Sequence, residues 1–199
     1  MKFGIKKVGI LDYGVGNIAS LVGALNKLGF QAIIGKTESS LTKVDALFLP
    51  GVGSFPYAMG NLRSLKMDKF LRARFDAKDL KVLGICLGMQ VLFEHSEEGS
   101  CEGLGFLNGK VRRFDDKECH VGWNMVQSRS HGIVSKTSAY YFNHSYFVDC
   151  AEEYTVATSR YQKDFAVVVK KNRFYGVQFH PEKSQNIGAE LINKFVRED

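Results

Sequence analysis

The sequence predicts one α/β domain over residues 1–199: a central, mostly parallel sheet flanked by helices, with an antiparallel β addition. Three observations carry that expectation. Short apolar runs alternate with helical periodicity through the first half of the chain. A cysteine between two glycines, Gly84-Ile85-Cys86-Leu87-Gly88, stands where one of those runs turns into a helix. After Gly99, short β-branched and aromatic segments replace the helical pattern.

Val8-Gly9-Ile10-Leu11 reads as the first strand, and Ile18, Leu21, Val22, Leu25 and Leu28 then recur at helical spacing up to Gly29. Residues 31–35 form the second strand, and Asp45-Ala46-Leu47-Phe48-Leu49, stopped by Pro50-Gly51, the third. A helix is expected over about 61–75, then a strand over 81–85, then a helix over 87–93. This β-α-β-β-α-β order calls for crossover connections and hence a parallel sheet covered by helices. Later strands are expected at 110–114, 123–127, 140–147, 154–159, 165–169 and 173–179, separated by polar or glycine turns as in hairpins. Ile187, Leu191, Ile192 and Phe195 mark an amphipathic closing helix. No proline- or serine-rich linker and no internal repeat divides the chain.

The 199 residues suffice for a substantial core, and the 45% hydrophobic content is that of a soluble globular protein. Residues 1–7 read as leading straight into a strand, and no apolar run approaches the roughly 18 residues that span a membrane. Cys86, Cys101, Cys119 and Cys150 contain no C-x-x-C pair, so neither zinc nor a disulfide framework is indicated. Reduced thiols in a cytoplasmic protein are expected. The net charge of +6 would suit nucleic acid or another anion. However, Arg63, Lys66, Lys69, Arg72, Arg74 and Lys78 read as the solvated face of one helix, and no aromatic-interleaved basic motif accompanies them.

Gly14-Val15-Gly16-Asn17-Ile18-Ala19 satisfies a dinucleotide fingerprint, with Glu38 about 20 residues on as the ribose acid. The plainer reading is a tight turn whose glycines let another segment approach closely.

Cys86 carries more. A strand-to-helix bend lifts a nucleophile above a sheet, and side chains at Gly84 or Gly88 would crowd it. The same bend puts the sulfur at a helix N-terminus, which favours a thiolate. Near the end of the chain, Gln178-Phe179-His180-Pro181-Glu182 runs off a strand. Residues two apart on extended backbone share a side, so His180 and Glu182 are offered together. A thiol nucleophile needs such a base and such an orienting carboxylate. Gly51-Val52-Gly53, after the third strand, can turn N–H groups toward an oxyanion, shared with the N–H of Leu87.

Gly-Ile-Cys-Leu-Gly-Met-Gln (84–90) and Gly-Val-Gln-Phe-His-Pro-Glu (176–182) resemble the class I, triad glutamine amidotransferases. Within that class, the 12–17 loop, Pro50-Gly51-Val52-Gly53, Gly122-Trp123-Asn124 and His180-Pro181-Glu182-Lys183-Ser184 are similar to the HisH branch, from residue 12 to about 188. The resemblance implies a flavodoxin-like fold with Cys86 as nucleophile, His180 as base and then acid, and Glu182 as orienter. It implies that Gly51, Val52, Gly53 and Leu87 form the oxyanion site. It further implies that Gln90, Glu98, His144 and Ser145 hold glutamine, and that Asn17, Trp123, Asn124, Tyr141 and Lys183 lie at an interface or gate. Neither NAD nor any other cofactor or metal is implied. The implied activity is release of ammonia from glutamine for a (βα)8 cyclase of the HisF type. That partner would make imidazole glycerol phosphate and AICAR in histidine biosynthesis.

Two departures bear on the partner. Cys119-His120-Val121 stands where the family usually has Pro-His-Met, and Asn143 stands where an aliphatic residue usually precedes the histidine of the aromatic strand. They leave open a related pair that amidinates a bacterial surface-polysaccharide sugar.

Overall fold

The computed structural model describes residues 6–115, 119–129, 132–134 and 137–198. The opening residues 1–5 lie outside the described residues, as do residues 116–118 just before Cys119.

The elements follow in chain order. The first half holds β1 (Lys7–Leu11), α1 (Ile18–Lys27), β2 (Gln31–Gly35), α2 (Glu38–Leu41), β3 (Ala46–Gly51), α3 (Phe55–Ser64), α4 (Met67–Ala77) and β4 (Lys81–Cys86). Next come α5 (Leu87–Gln90), β5 (Phe93–Ser96), β6 (Cys101–Glu102), β7 (Leu107–Arg113), β8 (His120–Ser128), β9 (Ser138–His144) and β10 (Tyr146–Cys150). The chain closes with β11 (Thr155–Tyr161), β12 (Lys163–Lys171), β13 (Phe174–Val177) and α6 (Gln185–Arg197). Among the described residues, no helix is long and apolar enough to cross a membrane.

The strands β2-β1-β3-β4-β13 pair in parallel and form the centre of the sheet. Strand β12 then adds antiparallel to β13, and β10 and β7 continue the sheet from there. Strand β11 branches from β12, and the β8–β9 hairpin hangs from β11.

The central strands are apolar throughout because both faces are covered. Along β3, Ala46 and Phe48 face one core and Leu47 and Leu49 the other. The first core is filled by Leu21 and Leu25 of α1 and Leu191, Ile192 and Phe195 of α6. The second takes Phe55 and Leu62 of α3 and Phe70, Leu71 and Phe75 of α4. The period-two alternation of the strands and the wider helical spacing therefore meet in two layers, one on each side of the sheet.

The structure departs from the sequence expectation at several points. The helix expected over 61–75 is two helices, broken where Lys66 takes a left-handed φ of 57°. The helix after Cys86 stops at Gln90, because the carbonyls of Val91, Leu92 and Phe93 accept from Leu104, Phe106 and Gly105 instead. The stretch 140–147 is two strands, parted at Ser145, whose carbonyl accepts from the N–H of Phe114. The basic residues near 63–78 spread over two helices and partly pack. Arg72 lies 4.3 Å from the Phe106 ring centroid and donates to the Leu104 carbonyl, and Arg63 donates to the Glu102 carbonyl at 2.9 Å.

The glycine-rich turn after β1 approaches protein, as its plainer reading expects. A Cβ on Gly16, where φ is 105°, would sit 3.0 Å from Pro50, and one on Gly14 would sit 2.9 Å from Asn61. Glu38 begins α2 and faces Arg74 at 3.9 Å.

Candidate active site

Three neighbouring parallel strands deliver the site from their C-terminal ends, where ligands of such sheets bind. Gly51 ends β3 and pairs with Cys86, which ends β4. On the other side of β4, Gly176 and Val177 of β13 pair with Gly84 and Ile85, so the chain leaving β13 passes beside Cys86.

Cys86 sits at φ 55° and ψ −109°, a strained backbone for a residue with a Cβ. The glycines around it are needed for contact as well as for the bend. A Cβ on Gly84 would lie 2.3 Å from the Gly88 carbonyl oxygen, and one on Gly88 would lie 1.8 Å from that of Leu49. The strand, the elbow and α5 are therefore pressed together, with the sulfur on top and only 6% of the residue exposed.

His180 and Glu182 share a side, as the two-residue spacing predicts. Nδ1 of His180 lies 2.9 Å from Oε1 of Glu182, with the two side chains 2% and 3% exposed. The His180 backbone is tied down twice: its N–H donates to the Tyr141 carbonyl at 2.9 Å, and its carbonyl accepts from Oγ of Ser184 at 2.6 Å. Burial alone would lower the His180 pKa. Hydrogen bonds to Cys86 and Glu182 outweigh it and push the imidazole up to about 10.

A cavity of about 230 Å³ opens beside the sulfur, lined by Val52, Gly53, Cys86, Leu87, Gln90, Glu98, Cys119, Asn143, His144, Ser145 and Tyr146. It brings together most residues expected at the oxyanion and glutamine positions. Gly51 lies behind it, where a Cβ would meet Gly88 N at 2.6 Å. Gly53 takes a φ of 125°. Glu98 reaches the site from beneath, its Oε2 accepting from the N–H of Phe55 at 2.9 Å. Both ring nitrogens of His144 are engaged within the protein, so it lines the cavity without offering a side-chain hydrogen bond.

The expected interface residues divide. Trp123 and Tyr141 meet edge to face at 6.3 Å, and Nζ of Lys183 lies 5.8 Å from the Tyr141 ring. Asn17 caps α1, its Oδ1 accepting from the N–H of Ser20 at 3.3 Å. Asn124 is turned inward, toward His120 and the Arg160 carbonyl.

Sequence reasoning missed Gln178. It is fully buried, and its Nε2 donates to the Cys86 sulfur at 3.6 Å while its Oε1 accepts from Gln90 at 3.2 Å. The signal was present: Gln178 precedes His180 by two and so shares its side of the extended chain. Cys119 was noticed only as a departure, yet it lines the cavity, its sulfur 2.8 Å from Oγ of Ser145. Tyr13 is buried beside Cys86, and that burial pushes its hydroxyl well above the usual tyrosine range.

The model of the glutamine amidotransferase class-I family matches residues 9–198. The chain is 40% identical, over 96% of its length and 99% of the relative's, to imidazole glycerol phosphate synthase subunit HisH 1 of Campylobacter jejuni. It is 42% identical, over 95% of its length and 94% of the relative's, to the HisH subunit of Geobacillus thermodenitrificans. Among solved structures, one described as a glutamine amidotransferase superposes with a TM-score of 0.77, covering 95% of this chain and 97% of its own at 20% identity. PurLQS from Thermotoga maritima superposes with the same TM-score at 15% identity, covering 96% and 98%. The structures share the fold, and the family model and the HisH subunits share the sequence along nearly all of it: the chain belongs to the class I glutamine amidotransferases.

Proposed function

We propose that the chain is the glutaminase subunit of imidazole glycerol phosphate synthase, acting in the cytoplasm on glutamine and docking on a HisF-type (βα)8 cyclase as a heterodimer. The carrying observation is the buried His180–Glu182 pair set beside the strained Cys86 at the mouth of a cavity. The HisH relatives described above are subunits of that synthase.

In this reading the Cys86 proton already rests on His180, whose imidazole is held protonated near neutral pH, and the sulfur attacks the side-chain amide carbon of glutamine. The tetrahedral oxyanion is met by the N–H of Leu87 and by the Gly51–Val52–Gly53 loop. His180 then hands the proton to the departing nitrogen. The C–N bond breaks, ammonia leaves, and a γ-glutamyl thioester remains. Water attacks the thioester with His180 taking its proton, the C–S bond breaks, and glutamate is released. Glu182 holds the imidazole in the tautomer that each step needs. Gln90 spends its amide hydrogens on Tyr146 and Gln178, which leaves its carbonyl oxygen for the substrate.

Val121, Trp123 and Met125 are about half exposed along one face of β8, and Val52 is 47% exposed in the neighbouring loop. Val52 and Cys119, the residue before β8, both line the cavity, so these exposed apolar side chains suit a docking surface better than open water. The cyclase would cover them and receive the ammonia near Trp123, Tyr141 and Lys183.

The test is glutamine turnover by the purified chain with and without a histidine-pathway cyclase. Strong stimulation by that cyclase is expected. The polysaccharide-sugar reading would instead give no stimulation by it and full stimulation by a surface-sugar partner. Steady turnover of unrelated amides, indifferent to either partner, would contradict both.

A further inference from the structure

Two buried histidines outside the Cys86–His180–Glu182 cluster are joined directly. His120 Nδ1 lies 3.0 Å from His144 Nε2. His144 turns Nδ1 toward the Tyr146 carbonyl oxygen at 2.8 Å. His120 turns Nε2 toward Nδ2 of Asn124 at 3.0 Å.

These partners allow one proton arrangement. A carbonyl oxygen only accepts, so His144 carries its proton on Nδ1 and, being neutral, presents a lone pair at Nε2. His120 must then donate from Nδ1 and accept at Nε2. Asn124 supplies that last donor, because its own oxygen accepts from the N–H of Met125 at 2.7 Å while its Nδ2 also serves the Arg160 carbonyl at 2.9 Å. Both imidazoles are buried, at 4% and 7% exposed, and burial lowers them to about 4 and about 3, so both are neutral near pH 7.

The bonds run on to the reactive sulfur. The Tyr146 carbonyl that accepts from His144 also accepts from Gln90 Nε2 at 3.0 Å. Gln90 donates to Gln178, and Gln178 to Cys86. At the far end, Asn124 sits on β8 between the exposed Trp123 and Met125.

We propose that His120 is a positioning residue for glutamine hydrolysis. From outside the cavity its Nδ1–H holds the Nε2 lone pair of His144, keeps that ring on the Tyr146 carbonyl, and so sets the placement of Gln90 and Gln178 around Cys86. The proposal rests on the glutaminase reading of that site. Packing alone does not ask for an imidazole here. The ring is stacked between Tyr161 at 4.4 Å and Phe142 at 4.6 Å, in a slot that a phenyl ring would fill without a buried polar edge. The imidazole adds a donor at one edge and an acceptor at the other.

The test compares His120→Asn and His120→Phe in the full complex with the cyclase, with glutamine as substrate. Asparagine keeps an N–H close to the place of Nδ1, and phenylalanine keeps only the stack. His120→Asn is expected within about threefold of wild-type kcat/KM, and His120→Phe at least about tenfold lower, mainly through KM, since it strands the His144 lone pair. Side-chain nitrogen NMR shifts are expected to show His144 protonated at Nδ1 throughout, with its Nε2 at the shift of a hydrogen-bonded lone pair in the wild type and the asparagine variant and at that of an unbonded lone pair in the phenylalanine variant. The reverse order of activities, or an unchanged His120→Phe, overturns the proposal and leaves a packing role. A wild-type His144 protonated at Nε2 also overturns it, whichever variants fold. A wild-type complex that turns over no glutamine instead overturns the glutaminase reading beneath it.

Discussion

Nδ1 of His180 and Oε1 of Glu182 lie 2.9 Å apart in a setting that leaves both side chains almost without solvent. The carboxylate therefore acts on one edge of one ring and on little else. Glu182→Gln keeps the shape and removes the charge that orients and stabilises the imidazolium. It is expected to lower kcat for glutamine in the cyclase complex by about 10²–10⁴-fold, with KM changed much less. A kcat within threefold of wild type in stopped-time glutamate assays would contradict the orienting role.

The histidines set opposite limits on pH stability. His180 rises from 6.5 to about 10 on folding, so its contribution is complete below pH 6.5 and is lost as pH rises toward 10. His120 and His144 fall from 6.5 to about 4 and about 3, so theirs is complete above pH 6.5 and is lost as pH falls through those values. Denaturant midpoints are expected to peak near neutrality. Glu182→Gln should flatten the alkaline limb and His120→Asn the acid limb. Unchanged limbs in the two variants would show that other groups govern them.

Gly88→Ala places a methyl group 1.8 Å from the Leu49 carbonyl oxygen, where backbone meets backbone. Neither strand can yield without moving the elbow. A loss of about 3 kcal/mol or more is expected by urea unfolding. Gly60→Ala is the control, because a Cβ there has nothing within 4 Å, and it should be neutral or slightly stabilising.

Met125→Asp places a charge on the outer face of β8, at a residue 48% exposed. The isolated chain should keep its Tm within a degree or two, as surface changes usually do. Cyclase binding should weaken by about 30-fold or more, since a buried unpaired charge is costly at an interface. Equal affinity by calorimetry would move the docking face elsewhere.

Much of this was legible in the chain itself. The central strands declared themselves as unbroken apolar runs because both their faces are covered, and Cys86, His180 and Glu182 were marked by local backbone rules. The breaks at Lys66 and Ser145 were not legible. Neither position carries a glycine or proline, and what ends each element is a partner distant in sequence or an unforced left-handed residue. The short α5 hid for the same reason: the segment around Gly103–Leu107 takes its carbonyls from outside. Within the site, the pairing of His120 with His144 depends on the register of β8 against β9, which sets those two residues opposite each other. Register is a tertiary outcome, and a list of histidines does not contain it.

The central claim is that Cys86 makes ammonia for a separate active site. Cys86→Ala in the cyclase complex, assayed for imidazole glycerol phosphate with either glutamine or an ammonium salt as nitrogen source, tests it most directly. Loss of glutamine-dependent synthesis with ammonium-dependent synthesis near wild type is the predicted result. Glutamine-dependent synthesis that survives the substitution, or ammonium-dependent synthesis that disappears while the complex still forms, would contradict it.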